Sequence, residues 1–454
     1  MAKKSGARAP SLKNAPGSAE IKNDVVHFIG VGGIGVSSLA HWFLAQNWVV
    51  SGSDDVKSLI TDDLKKDGVK IKIGLKKGNI PKVAQLVIHT VAIPSDNEEL
   101  IEAKSRNIRV ITYPQALGEF TGRYKTIAIS GCHGKSTTTA IVAGILIEAK
   151  LDPTVVIGTK LNGSNFRAGK SKYLVIEADE YRGAFWNYLP YAALVNNIEL
   201  DHVDFYKDLQ AVKSSFLKFL NNVAADGFIV ANGDDKNVKD VIGKLKKQKT
   251  ISFGSSDKAT LGKIRKIIKV PGEHNVMNAL GAYKLTRGLG IKEDTILKAI
   301  GKFKGVWRRS EYKGKSKEGW KIFDDYAHHP TAVKATLEGI RAKYPKDYLV
   351  AVFQPHQLLR FIALYGDFKK CFGAADKVIL LDIYNPKGRD ELDNKLSSKT
   401  LTEELNKKKP GIAVHSPDKD LRKTLSSELK NKKRVTIVVM GAGDVTDLVP
   451  KLLK

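Results

Sequence analysis

Apolar residues along this chain come in two rhythms. Short, nearly continuous apolar runs, among them "VVHFI" (25–29), "WVVSG" (48–52), "LVIHT" (86–90) and "TIAIS" (126–130), alternate with longer stretches in which apolar residues recur every three or four positions. A run apolar at every position has both faces buried and marks a strand of a parallel sheet, whereas the second rhythm marks an amphipathic helix lying over it. Helices are predicted over 33–46 and near 57–67. The alternation restarts after 125, with strands at "YLVIEAD" (173–179), "AALVNNI" (192–198) and "GFIVANGD" (227–234), and a helix at "HNVMNALGAYKLTRGLG" closes the unit near 305. A third alternation carries "KIFDDY", "YLVAVFQP", "KVILLDIY" and "RVTIVVMGAGD". With 454 residues to divide, three α/β domains in series are expected, over 23–120, 121–305 and 306–454. Residues 1–22, rich in Lys, Ala, Pro, Gly and Ser without periodicity, read as a disordered basic tail.

Two glycine loops carry the first chemistry. "FIGVGGIGVSS" follows the first strand and places Gly30, Gly32 and Gly35 in a G-x-G-x-x-G turn, with Gly33 and Ile34 between them. Such a turn opens a helix whose N-terminal amides hold a pyrophosphate, and Asp54, at the end of the next apolar run, stands where an acid grips a ribose hydroxyl. Alone, this is the signature of a nicotinamide oxidoreductase. The second loop, "ISGCHGKSTTTA", argues against that. Gly131, His133, Gly134, Lys135, Ser136 and Thr137 lie between a strand and a helix, where backbone amides cradle phosphates, Lys135 reaches the β and γ phosphates and Ser136 holds Mg²⁺. A dehydrogenase has no use for it.

A phosphate loop calls for metal ligands on neighbouring strand ends. "VIEADEY" offers Glu177, Asp179 and Glu180, and "NNIELDHVDFY" offers Asp201, His202 and Asp204. Farther on, "GEHNVMNA" puts Asn275 and Asn278 on one helical turn. "WRRSEY" supplies Arg308 and Arg309, and "DDYAHHPT" supplies Asp324, Asp325, His328 and His329. Arginine, permanently charged and forked, suits a phosphoryl group gaining charge in transfer.

Taken in order, "GVGGIG", "GCHGKSTTT", "EADE", "NNIELDH", "GEHNVMNA", "WRRSEY", "DDYAHHPT" and "FQPHQLLR" resemble the Mur ligases, ATP-dependent amide-forming enzymes of peptidoglycan precursor synthesis, from about residue 25 to 450. The resemblance implies a Rossmann-like N-terminal domain for a uridine nucleotide, a central P-loop-type ATPase domain with a mostly parallel sheet, and a Rossmann-like C-terminal domain for the incoming amino acid. It implies ATP and Mg²⁺ as cofactors and UDP-N-acetylmuramate and L-alanine as substrates, with murein tripeptide as the alternative amine. By the same resemblance Gly30, Gly32, Gly33, Ile34, Gly35 and Asp54 serve the UDP-sugar, Lys135 and Ser136 the ATP and its metal, and Glu177 and His202 the metal. Asn275 and Asn278 fall to the nucleotide, Arg309 and Asp325 to the ATP side of the third domain, and His329 and Arg360 to substrate.

Composition narrows the partners. A net charge of +27 invites a nucleic-acid reading, but the lysines are scattered, few aromatics lie between them, and no helix-turn-helix or zinc pattern accompanies them. No nucleic-acid partner is expected, and a lysine-rich surface also suits anionic small substrates. No apolar run reaches the ~20 residues of a membrane span. Two cysteines, Cys132 and Cys371, fit a reducing cytoplasm, and a monomer or weak homodimer is expected. Three departures from the family pattern stand out: Cys132 in the phosphate loop, "YRGAF" after "EADE", and Gln357 in place of an arginine. The short segment between "ISFG" and "VPGEHN" is expected to lack a hairpin.

Overall fold

The computed structural model describes residues 24–161, 163–385 and 395–454; the stretch 1–22 lies outside them. Three sheets follow one another along the chain. In the first, Lys70–Ile73, Val49–Asp54, Val25–Ile29, Leu86–His89 and Arg109–Thr112 lie side by side, all parallel. The chain enters at the middle strand and winds outward to both edges, the doubly wound order that leaves a crevice at the carboxyl ends of the central strands.

The central sheet has seven strands in the order Lys249–Phe253, Phe228–Asn232, Ala192–Val195, Lys125–Ser130, Tyr173–Glu177, Thr154–Leu161 and Ser164–Arg167. Only the last pair, a hairpin, is antiparallel. The third sheet orders Glu311–Lys315, Lys321–Asp325, Val435–Met440, Tyr348–Phe353, Lys377–Leu380 and Ala413–His415, antiparallel only between its first two strands. The inner strands are buried throughout, as "VVHFI" and "VTIVVM" require.

Helices cover both faces of every sheet, and the apolar runs of the sequence fill the layers between. One core is shared by two sheets. Trp42, from the helix Ile34–Ala45 of the first sheet, stacks on Phe120 at 4.1 Å between centroids and meets Phe166 of the central hairpin at 5.9 Å. Offset aromatic contacts of this kind add to simple burial, so the first two sheets are held by a continuous apolar layer.

Several strands lie at edges where the sequence pattern is weak. "KIKI" and "AVH" are short and partly exposed, and "KTISF" alternates instead of running apolar. The segment between "ISFG" and "VPGEHN" holds a helix, Lys258–Ile267, and no hairpin. The unit predicted to end with one helix, Glu273–Gly288, continues through a second, Glu293–Lys302.

Candidate active site

The phosphate loop leaves the strand Lys125–Ser130 and enters the helix Lys135–Glu148. Gly134 caps that helix at φ +82°, a left-handed conformation that a side chain would strain, and an added Cβ would strike Asn278 Oδ1. Asn197 anchors the loop from the neighbouring strand end: its Oδ1 accepts from the His133 amide at 2.8 Å, and its Nδ2 donates to the His133 carbonyl at 3.1 Å. The "NN" after an apolar strand was the sequence signal for this clamp, and sequence reasoning assigned it no role.

Lys135 is held by carboxylates. Its Nζ lies 2.7 Å from Glu180 Oε2 and 3.6 Å from Asp179 Oδ1. Burial alone would lower the Lys135 pKa, but the charges of Glu180 and Asp179 prevail and raise it. Glu180 is 1% exposed; burial pushes its carboxyl up, and Lys135 with His202 pulls it down to about 2. His202, at φ +53°, sits 3.4 Å from Glu180 Oε1 and 4.0 Å from Asp201 Oδ2. The Tyr181 ring lies 4.7 Å from the His202 ring, and the Tyr181 hydroxyl donates to Asp204 at 2.9 Å.

Glu177 stands on the other side of the loop. Ser136 Oγ donates to its Oε2 at 3.2 Å, and the Gly158 amide donates to its Oε1 at 2.7 Å. Burial raises the Glu177 pKa, and Arg309 opposes it. Arg309 reaches over from the third domain to Ser136 Oγ at 3.2 Å. The sequence set Glu177 and His202 together at a metal. The structure groups Ser136 with Glu177, and His202 with Asp179 and Glu180, whose ligand atoms all lie within 4.8 Å of one another. These oxygen-rich sets fit Mg²⁺, a hard cation that prefers carboxylate and hydroxyl ligands. Incompletely compensated Glu177 is the carboxylate that a cation would neutralise.

The third domain closes the site. Asp325 accepts from the Ser310 amide at 2.6 Å and the Ala327 amide at 2.7 Å, fixing the turn that carries Arg309. Arg308 turns away, toward the Gly441 carbonyl and Asp324. His329 caps the helix Pro330–Lys343, and its Nδ1 lies 3.7 Å from Glu199. Burial, with His133 nearby, depresses the His329 pKa to about 4. Arg360 Nε meets Asp201 Oδ1 at 2.9 Å, both side chains 5% exposed. Asn275 and Asn278 stack along one helix face, with Asn278 Nδ2 donating to Asn275 Oδ1 at 3.4 Å.

The first glycine turn keeps Asp54 occupied. Its Oδ2 accepts from the Gly32 amide at 2.8 Å, and its Oδ1 from the Val56 amide at 3.2 Å. The carboxylate expected at a ribose thus braces the turn itself. Gly30, at φ +75°, packs on Thr90. A cavity of about 630 Å³ joins these parts: Ile34 and Gly35 from the first domain, Lys135, Ser136 and Glu177 from the central one, and Arg309, Asp325 and Arg360 from the third all line it. His133 and Glu199, on the wall, form a further cluster with His329, which is buried behind it, and Thr331 joins them, its hydroxyl donating to Glu199 at 2.8 Å.

A site divided among three α/β domains, with one phosphate loop and arginines arriving from the third, is the plan of an ATP-driven ligase. Residues 25–125 match the Mur ligase family, catalytic domain; residues 129–286 match the Mur ligase middle domain; residues 308–443 match the Mur ligase, glutamate ligase domain. The chain belongs to the Mur ligase family. It is 38% identical to a UDP-N-acetylmuramate--L-alanine ligase of Clostridium botulinum over 448 residues, covering 93% of this chain and 96% of the relative. It is likewise 38% identical to the enzyme of the same name from Clostridium beijerinckii, over 95% and 98% of the two chains. Among solved structures it resembles the UDP-N-acetylmuramate-alanine ligase MurC of Thermotoga maritima, at 25% identity and a TM-score of 0.78, covering 94% and 97%. The murein peptide ligase of Psychrobacter arcticus shares the fold at 24% identity and a TM-score of 0.69, covering 95% and 98%.

Proposed function

We propose that this chain joins L-alanine to the lactyl carboxylate of UDP-N-acetylmuramate at the expense of ATP. The observation that carries the reading is one cavity in which Ile34 and Gly35 at the end of the first glycine turn, the phosphate loop and Arg309 and Arg360 of the third domain converge. The full-length identity to ligases that bear this activity in their name supports it. A carboxylate does not accept an amine directly, because oxide is too poor a leaving group. The carboxylate oxygen therefore attacks the γ-phosphorus, ADP leaves, and the amine displaces phosphate from the acyl carbon.

Two like charges 4 Å apart repel by about 4 kcal/mol at an effective dielectric of 20, so the approach of carboxylate to γ-phosphate needs cations. Lys135 and Arg309 supply two, once Lys135 exchanges Glu180 for phosphate. Mg²⁺, which Ser136 with Glu177 and His202 with Asp179 and Glu180 would hold at two neighbouring places, would neutralise further phosphate charge. Gly30 to Gly35 hold the pyrophosphate at a helix N-terminus, Asn275 and Asn278 flank the ATP, and Arg360 with His329 receives the amino acid. Closing the third domain over the loop excludes water, which would hydrolyse the acyl phosphate.

No helix among the described residues is long and apolar enough to cross a membrane. We place the enzyme in the cytoplasm as a monomer or weak homodimer without a nucleic-acid partner. The test is phosphate release by the purified protein: the reading requires that it depend on ATP, UDP-N-acetylmuramate and the amine together. Release in the absence of the UDP-sugar would contradict it.

A further inference from the structure

The central hairpin contacts the helix after the first glycine turn, Glu177 beside the phosphate loop and the segment before Arg309, without belonging to the catalytic set. At its tip-proximal end, Asn165 is buried against the first domain. Its Nδ2 donates to the Ile34 carbonyl at 2.6 Å and to Ser37 Oγ at 2.7 Å, and its Oδ1 lies 3.2 Å from His41 Nδ1. Ile34 opens the helix that follows the glycine turn, so Asn165 fixes the first turn of the anion-binding helix. Lys160 adds an ion pair to Asp63 at 2.7 Å.

Two residues earlier, the Gly158 amide holds Glu177 Oε1 at 2.7 Å, and a Cβ at Gly158 would come within 3.0 Å of Glu177 Oε2. Between these points Thr159 Oγ1 donates to the Trp307 carbonyl at 2.8 Å, and the Trp307 amide donates to the Lys160 carbonyl at 3.2 Å. Trp307 lies two residues before Arg309. Residues 158–160 therefore contact the first domain, the carboxylate beside the phosphate loop and the segment that delivers Arg309. The two strands are paired at Val155 with Arg167, Val156 with Phe166 and Leu161 with Ser164, with a shift of register between Val156 and Leu161, so pairing on both sides of residues 158–160 ties them into the hairpin.

We propose that the hairpin Thr154–Arg167 is a coupling strut, with Asn165 and Gly158 as positioning residues: a sugar nucleotide seated on the glycine turn sets Glu177 and Arg309 for ATP. The physical ground is that a displacement of the first helical turn cannot occur without moving a body hydrogen-bonded to both other partners. The inference rests on the proposed function for the identity of the two ligands. Coupling of this kind is reciprocal and spans roughly 5- to 150-fold in affinity.

The test is calorimetric binding of a non-hydrolysable ATP analogue with and without saturating UDP-N-acetylmuramate, in the wild type and in Asn165→Ala, Asn165→Asp and Lys160→Ala. The wild type is expected to bind the analogue about tenfold tighter in the presence of the sugar nucleotide. In Asn165→Asp, which keeps the shape but turns the amide donor into an acceptor facing the Ile34 carbonyl, that factor falls toward one. Analogue affinity in the absence of the sugar nucleotide stays unchanged, which a merely misfolded variant would not show. Lys160→Ala, whose side chain is 23% exposed and makes a surface ion pair, keeps the test open if Asn165 variants fold poorly, with the factor reduced. A wild type that binds both ligands with no mutual effect, or variants that retain the full factor, overturn the strut. A wild type that does not bind UDP-N-acetylmuramate overturns the functional reading itself.

Discussion

Lys135 has two roles that one double substitution separates. Without nucleotide it neutralises Glu180, which is 1% exposed, at 2.7 Å. With nucleotide it is to serve the phosphates. Lys135→Ala leaves Glu180 buried with His202, 3.4 Å away, as its remaining partner. Removing one member of a buried ion pair costs about 3–5 kcal/mol, and the surviving histidine places the loss near about 3 kcal/mol. For a domain of this size that lowers the melting temperature by about 6–12 °C. Turnover falls about 100- to 1000-fold, because a preorganised cation facing the developing charge is gone. Adding Glu180→Gln removes the orphaned charge, so the double variant regains most of the melting temperature and none of the turnover. The assays are differential scanning calorimetry and steady-state phosphate release. A single variant with an unchanged melting temperature, or a double variant that recovers turnover, would refute the two-role argument.

Other consequences follow from the same geometry. His27 is buried, its Nε2 lacks a hydrogen bond, and burial with Lys72 lowers its pKa to about 4. The unfolded chain takes up a proton below about pH 6.5 that folded His27 refuses, so its contribution declines from there to about pH 4, by up to about 3 kcal/mol. Urea midpoints at pH 7 and pH 4.5 should show wild type losing that much relative to His27→Gln. Arg360→Lys keeps the charge near Asp201 but loses the fork, and the KM for L-alanine should rise about 10- to 100-fold with UDP-N-acetylmuramate affinity unchanged. Burial raises the thiol pKa of both Cys132 and Cys371, so neither should react with a thiol reagent at pH 8 until the protein unfolds.

Much of this was legible in the chain because buried parallel strands write themselves as apolar runs. "VVHFI", "TIAIS" and "VTIVVM" each became an inner strand, and both glycine loops sit between strand and helix as their spacing required. Edge strands were not legible, since "KIKI" and "AVH" bury too little to force a pattern. Asp54 shows a different limit: its position after a glycine turn does not reveal that the carboxylate also accepts from the Gly32 amide. Pairings across domains were equally invisible. Nothing in the sequence ties Arg360 to Asp201, Asn165 to Ile34 or Arg309 to Ser136, because each depends on how the three sheets come to face one another.

A ligase of this kind makes one amide bond, to one amine. Purified protein with ATP, Mg²⁺ and UDP-N-acetylmuramate should be offered L-alanine, glycine, L-serine and murein tripeptide in competition, and the product weighed by mass spectrometry. UDP-N-acetylmuramoyl-L-alanine is the expected main product. The tripeptide adduct in its place would contradict the assignment of the amine, and ADP formation without any amide would contradict the ligase.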